Sequence, residues 1–279
     1  MDHRQALVKS VQLPTTKGVR GGIANAVTGM LYISYGSDGP SGVGYLLKYN
    51  LVADHIVWNI SYPYPVDTID ITPDGKTIYQ AGGEQNPLGI WHIINAATGK
   101  EIGKITSAAA SGPHNTIVSL NGSHLYMGGL NADYLVVAGT ASNTVIKQIG
   151  PLNHGAGHPF TINGKELYLI DWPNGYVHVF DVSRLPAVAP KQVADIPLTH
   201  MTGNENPCVI NCGREGWLQH SVDGRFVYIG DAGDVIDTAT RKVVAHLLPL
   251  TDTRKFLEID WQNGSPIFTS QTKGVGYAT

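Results

Sequence analysis

VDGRFVYIGDAGDVIDTATRKVVAHL (222–247) is the stretch that decides the fold. A short apolar run meets Asp223-Gly224, and a run rich in β-branched and aromatic residues follows. Asp-Gly or Asn-Gly between alternating apolar runs is the strongest short-range hairpin signal. In the type I′ turn that it favours, both central residues need positive φ. The second half, DVIDTATRKVVAHL, alternates with period two around another turn, as two half-buried strands require. The stretch therefore ends in four strands' worth of pattern once the run before Asp223 is included. The same form recurs in VTGMLYIS (27–34), TPDGKTIY (72–79), LNGSHLY (120–126), INGKELYL (162–169) and QNGSPIF (262–268). The turn glycines Gly29, Gly75, Gly122, Gly164, Gly224 and Gly264 are spaced by 46, 47, 42, 60 and 40 residues. Four strands repeated every 40–50 residues predict an all-β fold of the β-propeller kind.

Counting from these turns gives six four-stranded blades: 20–63, 66–108, 112–152, 155–199, 214–250, and 251–279 completed by a strand at 5–13. An N-terminal strand in the last blade closes the ring and removes its exposed edges. The chain reads as a single domain over 1–279. The long spacing between Gly164 and Gly224 points to an insertion at 185–216, holding LPAVAP and the cysteines Cys208 and Cys212. A seventh, degenerate blade inside that span is the alternative. The two cysteines fit a local disulfide that shapes the loop, and with it an oxidising compartment; two free thiols are the other reading. Neither has the spacing of a zinc site.

TPDGKTIYQAGG with INAATGKEIGKI (94–105), and the opening stretch at 222–247, resemble the YVTN-type bacterial β-propeller repeat. Its motif runs S-P-D-G-K-x-x-Y-V-x and then x-V-x-V-I-D-T-A-T-G-K-V. The resemblance extends over most of the chain and implies a secreted or periplasmic propeller. Many such proteins have seven blades, one more than is counted here. The motif is structural and brings no catalytic residues with it.

Composition narrows the function. A net charge of −3 gives no basic face for nucleic acid or an anionic membrane. No apolar run approaches the ~18 residues that insertion into a bilayer needs. The opening segment MDHRQALVKS is polar and lacks a signal-peptide pattern. No nucleotide cofactor is expected, because neither GVGY tetrapeptide sits between a strand and a helix and no P-loop is present. No G-x-S-x-G or H-E-x-x-H motif occurs either.

In a propeller, the loops leading into the first strands open on the same face as the loops after the second strands. That face gathers residues from every blade. Asp67 and His114 each lie eight residues before a turn glycine, His158 and Glu258 six, and His220 four. Even offsets put all five on one side of their strands. Arg20, Arg214, Glu215 and Arg254 lie in the corresponding loops; Glu84, Asp133, Asp171 and Asp231 follow second strands. The functional reading is a small-molecule pocket at the channel mouth that hydrolyses or eliminates. His114 or His158 serves as base, Glu258 orients or ligates, and Arg254 holds an anionic group. Asp67, Asp171, Trp172, Asp231 and Arg20 contact the ligand. His114, His158, His220 and Glu258 suit a divalent Zn, Mn, Fe or Cu ion. Two other readings stand beside it. The same polar groups can bind water and brace neighbouring blades. Rigid blades can also present loops to a protein or cell-surface glycan partner without catalysis. His92 and His178 read as packed or partly exposed strand residues, and the tryptophans as inter-blade packing rather than carbohydrate platforms, with Trp172 on the candidate face the exception.

Overall fold

The computed structural model describes residues 10–14, 18–25, 28–152, 159–206, 213–253, 259–263 and 265–269. Among them are five four-stranded antiparallel sheets in which the strands follow one another in chain order. The first comprises β1 (Val19–Asn25), β2 (Met30–Gly36), β3 (Gly44–Asn50) and β4 (His55–Tyr62). The second comprises β5 (Ile69–Ile71), β6 (Thr77–Ala81), β7 (Ile90–Asn95) and β8 (Glu101–Thr106). The third comprises β9 (Pro113–Val118), β10 (His124–Gly129), β11 (Leu135–Gly139) and β12 (Thr144–Ile149). The fourth comprises β13 (Phe160–Ile162), β14 (Glu166–Asp171), β15 (Tyr176–Asp181) and β16 (Lys191–Pro197). The fifth comprises β17 (Leu218–His220), β18 (Phe226–Ile229), β19 (Asp234–Asp237) and β20 (Lys242–His246). A two-stranded hairpin follows, β21 (Ile259–Gln262) with β22 (Ser265–Thr269).

First strands meet first strands: β1 touches β5, β5 touches β9, and β13 touches β17. Fourth strands form the rim, and every residue of β20 is exposed. The core lies between blades rather than within them. Ile69, Ile71, Ile78 and Ile94 of the second blade pack on Ile23, Tyr32 and Leu46 of the first. Tyr79, Trp91 and Ile93 face Val118, Leu125 and Val136 of the third. Similar clusters join the third blade to the fourth and the fourth to the fifth. A large aliphatic side chain taken from water into such a seam is worth about 1.5–3 kcal/mol, so each seam holds its blades firmly.

Two details of the hairpins differ from expectation. At five of the turns only the glycine has positive φ, and the preceding Thr28, Asp74, Asn121, Asn163 and Asp223 are not left-handed. In three of these the glycine N–H closes a turn three residues back, as Gly75 does onto the Thr72 carbonyl at 2.8 Å. These are type I turns followed by a left-handed glycine, not type I′ turns. The extra residue is accommodated by a side-chain clasp such as Thr72 Oγ1 donating to Asp74 Oδ1 at 2.6 Å. Only Asn263, at φ 50, keeps the expected sign. In addition, the pairing of strands three and four shifts register in all five blades, at Lys48/Tyr49, Ile93/Ile94, Val137/Ala138, Val179/Phe180 and Val235/Ile236. A bulge there raises the twist of each blade towards its rim.

The ends of the chain are described in part. Residues 10–13, expected within a closing strand, form no strand. Val11 and Leu13 instead pack on Tyr35, Leu47 and Tyr49, on the face of the first blade away from the second. Residues 5–9, the Cys208–Cys212 loop, and much of the expected last blade lie outside the described residues.

Candidate functional site

The loops leading into first strands and those after second strands meet at one end of the blades. There Asp67, Glu84 and His114 converge. Their ligand atoms all lie within 4.8 Å of one another. His114 is the second residue of β9, and its Nδ1 stands 2.5 Å from Asp67 Oδ2 and 3.4 Å from Glu84 Oε2. Each member is held from behind by the backbone. Asp67 continues the ladder beyond β5, its N–H bonded to Ala81 O at 2.9 Å, and its own carbonyl accepts from Ser34 Oγ at 2.6 Å. The Thr68 hydroxyl donates to the His114 carbonyl and reaches Thr116 Oγ1 at 3.1 Å. Trp91 Nε1 donates to the same Thr116 oxygen at 2.9 Å, so the core seam beneath fixes the strand that carries His114.

Glu84 is aimed by Gly83, which has φ 93. A Cβ at position 83 would meet Asp38 O at 2.6 Å and Pro65 Cβ at 2.8 Å. Gly83→Ala is therefore expected to cost on the order of 1–3 kcal/mol and to move Glu84 out of the cluster. Thermal unfolding checks the first effect, and metal titration checks the second.

The first blade adds a charged neighbour pair. Arg20 NH2 lies 2.9 Å from Asp38 Oδ1, and its NH1 lies 3.9 Å from Glu84 Oε1. Burial, joined by the charges of Asp67 and Asp38, pushes the Glu84 carboxyl up to about 7 against the opposing pull of His114. The folded protein thus holds a proton on Glu84 that the unfolded chain releases near pH 4.5. Stability is therefore lost as pH rises from about 4.5 through 7, and the loss is complete above 7. Glu84→Gln removes this penalty. It is expected to raise stability at pH 8 by on the order of 1–3 kcal/mol and to change little at pH 4. Urea unfolding at the two pH values measures the difference.

The fifth blade walls the site on another side. The Trp217 ring meets His114 edge-on, with centroids 6.3 Å apart. Beside it, Asp231 is buried at φ 61, and its Oδ2 accepts the Gly216 N–H at 3.1 Å. Burial, opposed by that N–H and reinforced by Glu205, pushes the Asp231 carboxyl up to about 6.

The sequence-predicted residues separate into groups. Asp67 and His114 come together as the shared offset implied, with Arg20 beside them. Asp171 lies elsewhere on the same end, tied to His178 Nε2 at 3.1 Å and to Asn174. Asp195 holds the other nitrogen of His178 at 2.5 Å. Trp172 is 37% exposed on this face. His220 is not part of the cluster. It is wholly buried, with Nδ1 2.8 Å from Thr161 Oγ1 and its ring edge-on to Tyr168. It braces the seam between the fourth and fifth blades, because an even offset fixes the side of a strand but not its height. His158, Arg254 and Glu258 lie outside the described residues. Glu84 was visible on this face as a carboxylate after a second strand, without any sign that it would join Asp67 and His114. Asp38 carried no sequence signal, and Trp217 read only as inter-blade packing.

No family model and no curated protein matches the chain. Solved structures resemble it. A functionally unknown protein from Desulfotomaculum acetoxidans DSM 771 superposes with TM-score 0.64 at 14% identity, over 84% of this chain and 73% of that one. The β-propeller domain of Cps50 (Swd1) from Myceliophteria thermophila superposes with TM-score 0.60 at 13% identity, over 84% and 74%. At such identities the likeness concerns the fold alone: the five sheets are arranged as in a β-propeller.

Proposed function

We propose that the chain is a six-bladed propeller of the YVTN-repeat type, secreted or periplasmic, that binds a small molecule at the channel mouth and acts on it by hydrolysis or elimination. The observation that carries this reading is the convergence of Asp67, Glu84 and His114 from two adjacent blades, walled by Trp217 from a third. One imidazole and two carboxylates form a donor set for a divalent first-row ion such as Mn²⁺ or Zn²⁺. The separations of 2.5 and 3.4 Å from His114 Nδ1 require only small movements to admit one. A bound ion would supply Lewis-acid polarisation of a substrate oxygen and a water acidified towards neutral pH. Without an ion, Asp67 orients the imidazole through Nδ1 and Glu84, pushed up to about 7, takes or gives a proton; with one, the same three side chains would be its ligands. Arg20 and Asp38 hold Glu84 in place from the first blade, and the Trp217 indole keeps one side of the site apolar.

The experiment is turnover of a panel of lactones, carboxylic esters and β-substituted carboxylates by the Mn²⁺-loaded protein. The expected result is activity on at least one class that falls ~100-fold or more in His114→Ala and Glu84→Gln. Activity unchanged in both variants would contradict the assignment.

A further inference from the structure

At the opposite end of the blades, where the strand-one and strand-three turns lie, the fourth and fifth blades enclose a groove of about 480 Å³. This is within the roughly 300–1,000 Å³ range of small-molecule sites. Its walls come from the turns after β13 and β17, the ends of β15 and β16, and the β19–β20 turn. The blade-four turn glycine, Gly164, has open space around it. Gly75 and Gly122 instead have atoms of the preceding blade's turn, Thr28 and Pro73, within 3.1 and 3.0 Å of a Cβ position.

Charge defines what the groove accepts. Lys165, Arg225 and Arg241 line it together with Glu166, Asp181 and Asp223, so the formal charges cancel. Glu166 is already committed: Oε1 takes the Arg241 fork, with Nε at 3.0 Å, and Oε2 takes the Tyr168 hydroxyl at 2.7 Å. Asp181 gives Oδ1 to the backbone N–H and hydroxyl of Ser183 at 2.9 and 2.6 Å. Asp223 gives Oδ1 to the Ser221 hydroxyl and the Arg225 N–H at 2.6 and 3.0 Å. Among the described residues neither Oδ2 has a hydrogen-bond partner, so each can accept a hydrogen bond from a ligand hydroxyl. The Arg225 guanidinium lies 5.5 Å from the Phe226 ring centroid, within cation–π range, and offers a planar fork of donors to the groove.

A strong anion meets as much repulsion as attraction here, and so does a cation. An apolar molecule would strip water from carboxylates and guanidinium without replacing their hydrogen bonds. A ligand that is neutral and carries hydroxyls on every side satisfies both: vicinal hydroxyls donate to Asp181 and Asp223 and accept from Arg225. We propose that this groove is a second binding site, for a neutral saccharide of one or two rings. It is separate from the channel mouth and does not depend on the reading given to Asp67, Glu84 and His114.

The test is an amide-resolved NMR titration of the full chain with glucose, galactose, maltose and lactose. The expected result is saturable shifts at Lys165, Asp181, Arg225 and Arg241 with at least one sugar. Val193→Trp fills the groove from a partly exposed position on β16 and should weaken that binding at least ~10-fold. Arg225→Ala should do the same by removing the donor fork, and it carries the test if the tryptophan variant does not fold. Mn²⁺ binding should be unchanged in both. No saturable shift with any of the four sugars, shifts confined to other residues, or unaltered affinity in the folded variants would overturn the proposal.

Discussion

Replacing His114 with alanine is expected to lower affinity for Mn²⁺ or Zn²⁺ by roughly 100-fold or more, with Glu84→Gln and Asp67→Asn close behind. The three side chains offer one ligand atom each, so removing one leaves a two-ligand site that water outcompetes. The wild-type affinity should itself depend on pH. Glu84 must lose its proton to ligate, and that proton is held up to about 7 by burial and by its acidic neighbours. Affinity therefore climbs as pH rises through 7 and flattens above it. Isothermal titration of the parent at several pH values, and of the three variants at pH 8, measures both effects. Wild-type affinity independent of pH between 6 and 8 would mean that Glu84 is not a ligand. Affinity that survives in His114→Ala would place the ion elsewhere.

The second large effect is on stability. Trp91→Ala is expected to cost about 3–5 kcal/mol, because it empties the largest wholly buried side chain from the seam between the second and third blades. For a chain of this length that corresponds to a fall in Tm of roughly 10 °C. The same change removes the donor at 2.9 Å from the Thr116 hydroxyl, which links through Thr68 to the His114 carbonyl. Metal affinity should therefore fall alongside stability, even in protein that remains folded. Trp91→Phe keeps most of the packing and should cost a third as much or less. Circular dichroism melts check the ranking, and a loss below about 1 kcal/mol in Trp91→Ala would contradict the seam's role.

How far the sequence was legible follows from what each signal measures. The Asn/Asp-Gly turns gave the repeat period directly, since a left-handed residue is needed once per hairpin whatever the surroundings. They did not give the turn type, because Thr72, Ser119 and Ser221 clasp the turn with side-chain hydroxyls and absorb the extra residue. Period-two alternation placed the strands but was blind to the bulge between strands three and four, which inserts one residue without altering composition. At the site, equal offsets from the turn paired Asp67 with His114, since equivalent positions on adjacent first strands are neighbours. His220 shared the parity and not the height, and it ended in the seam between the fourth and fifth blades as a brace. Glu84 and Trp217 reach the site from loops whose paths depend on contacts distant in sequence, the first through Gly83 against Asp38 and Pro65, the second from the fifth blade.

The most direct test of the proposed metal centre at Asp67, Glu84 and His114 is terbium luminescence excited through tryptophan. An ion held by Asp67, Glu84 and His114 would lie near the Trp217 indole, whose ring meets His114 edge-on with centroids 6.3 Å apart. The predicted result is emission that saturates at one equivalent of Tb³⁺ and is displaced by Mn²⁺. It should be lost in Asp67→Asn and Glu84→Gln, and quenched in Trp217→Phe without loss of Mn²⁺ affinity. Emission that persists through all three substitutions, or that never rises above the free-ion level, would contradict it.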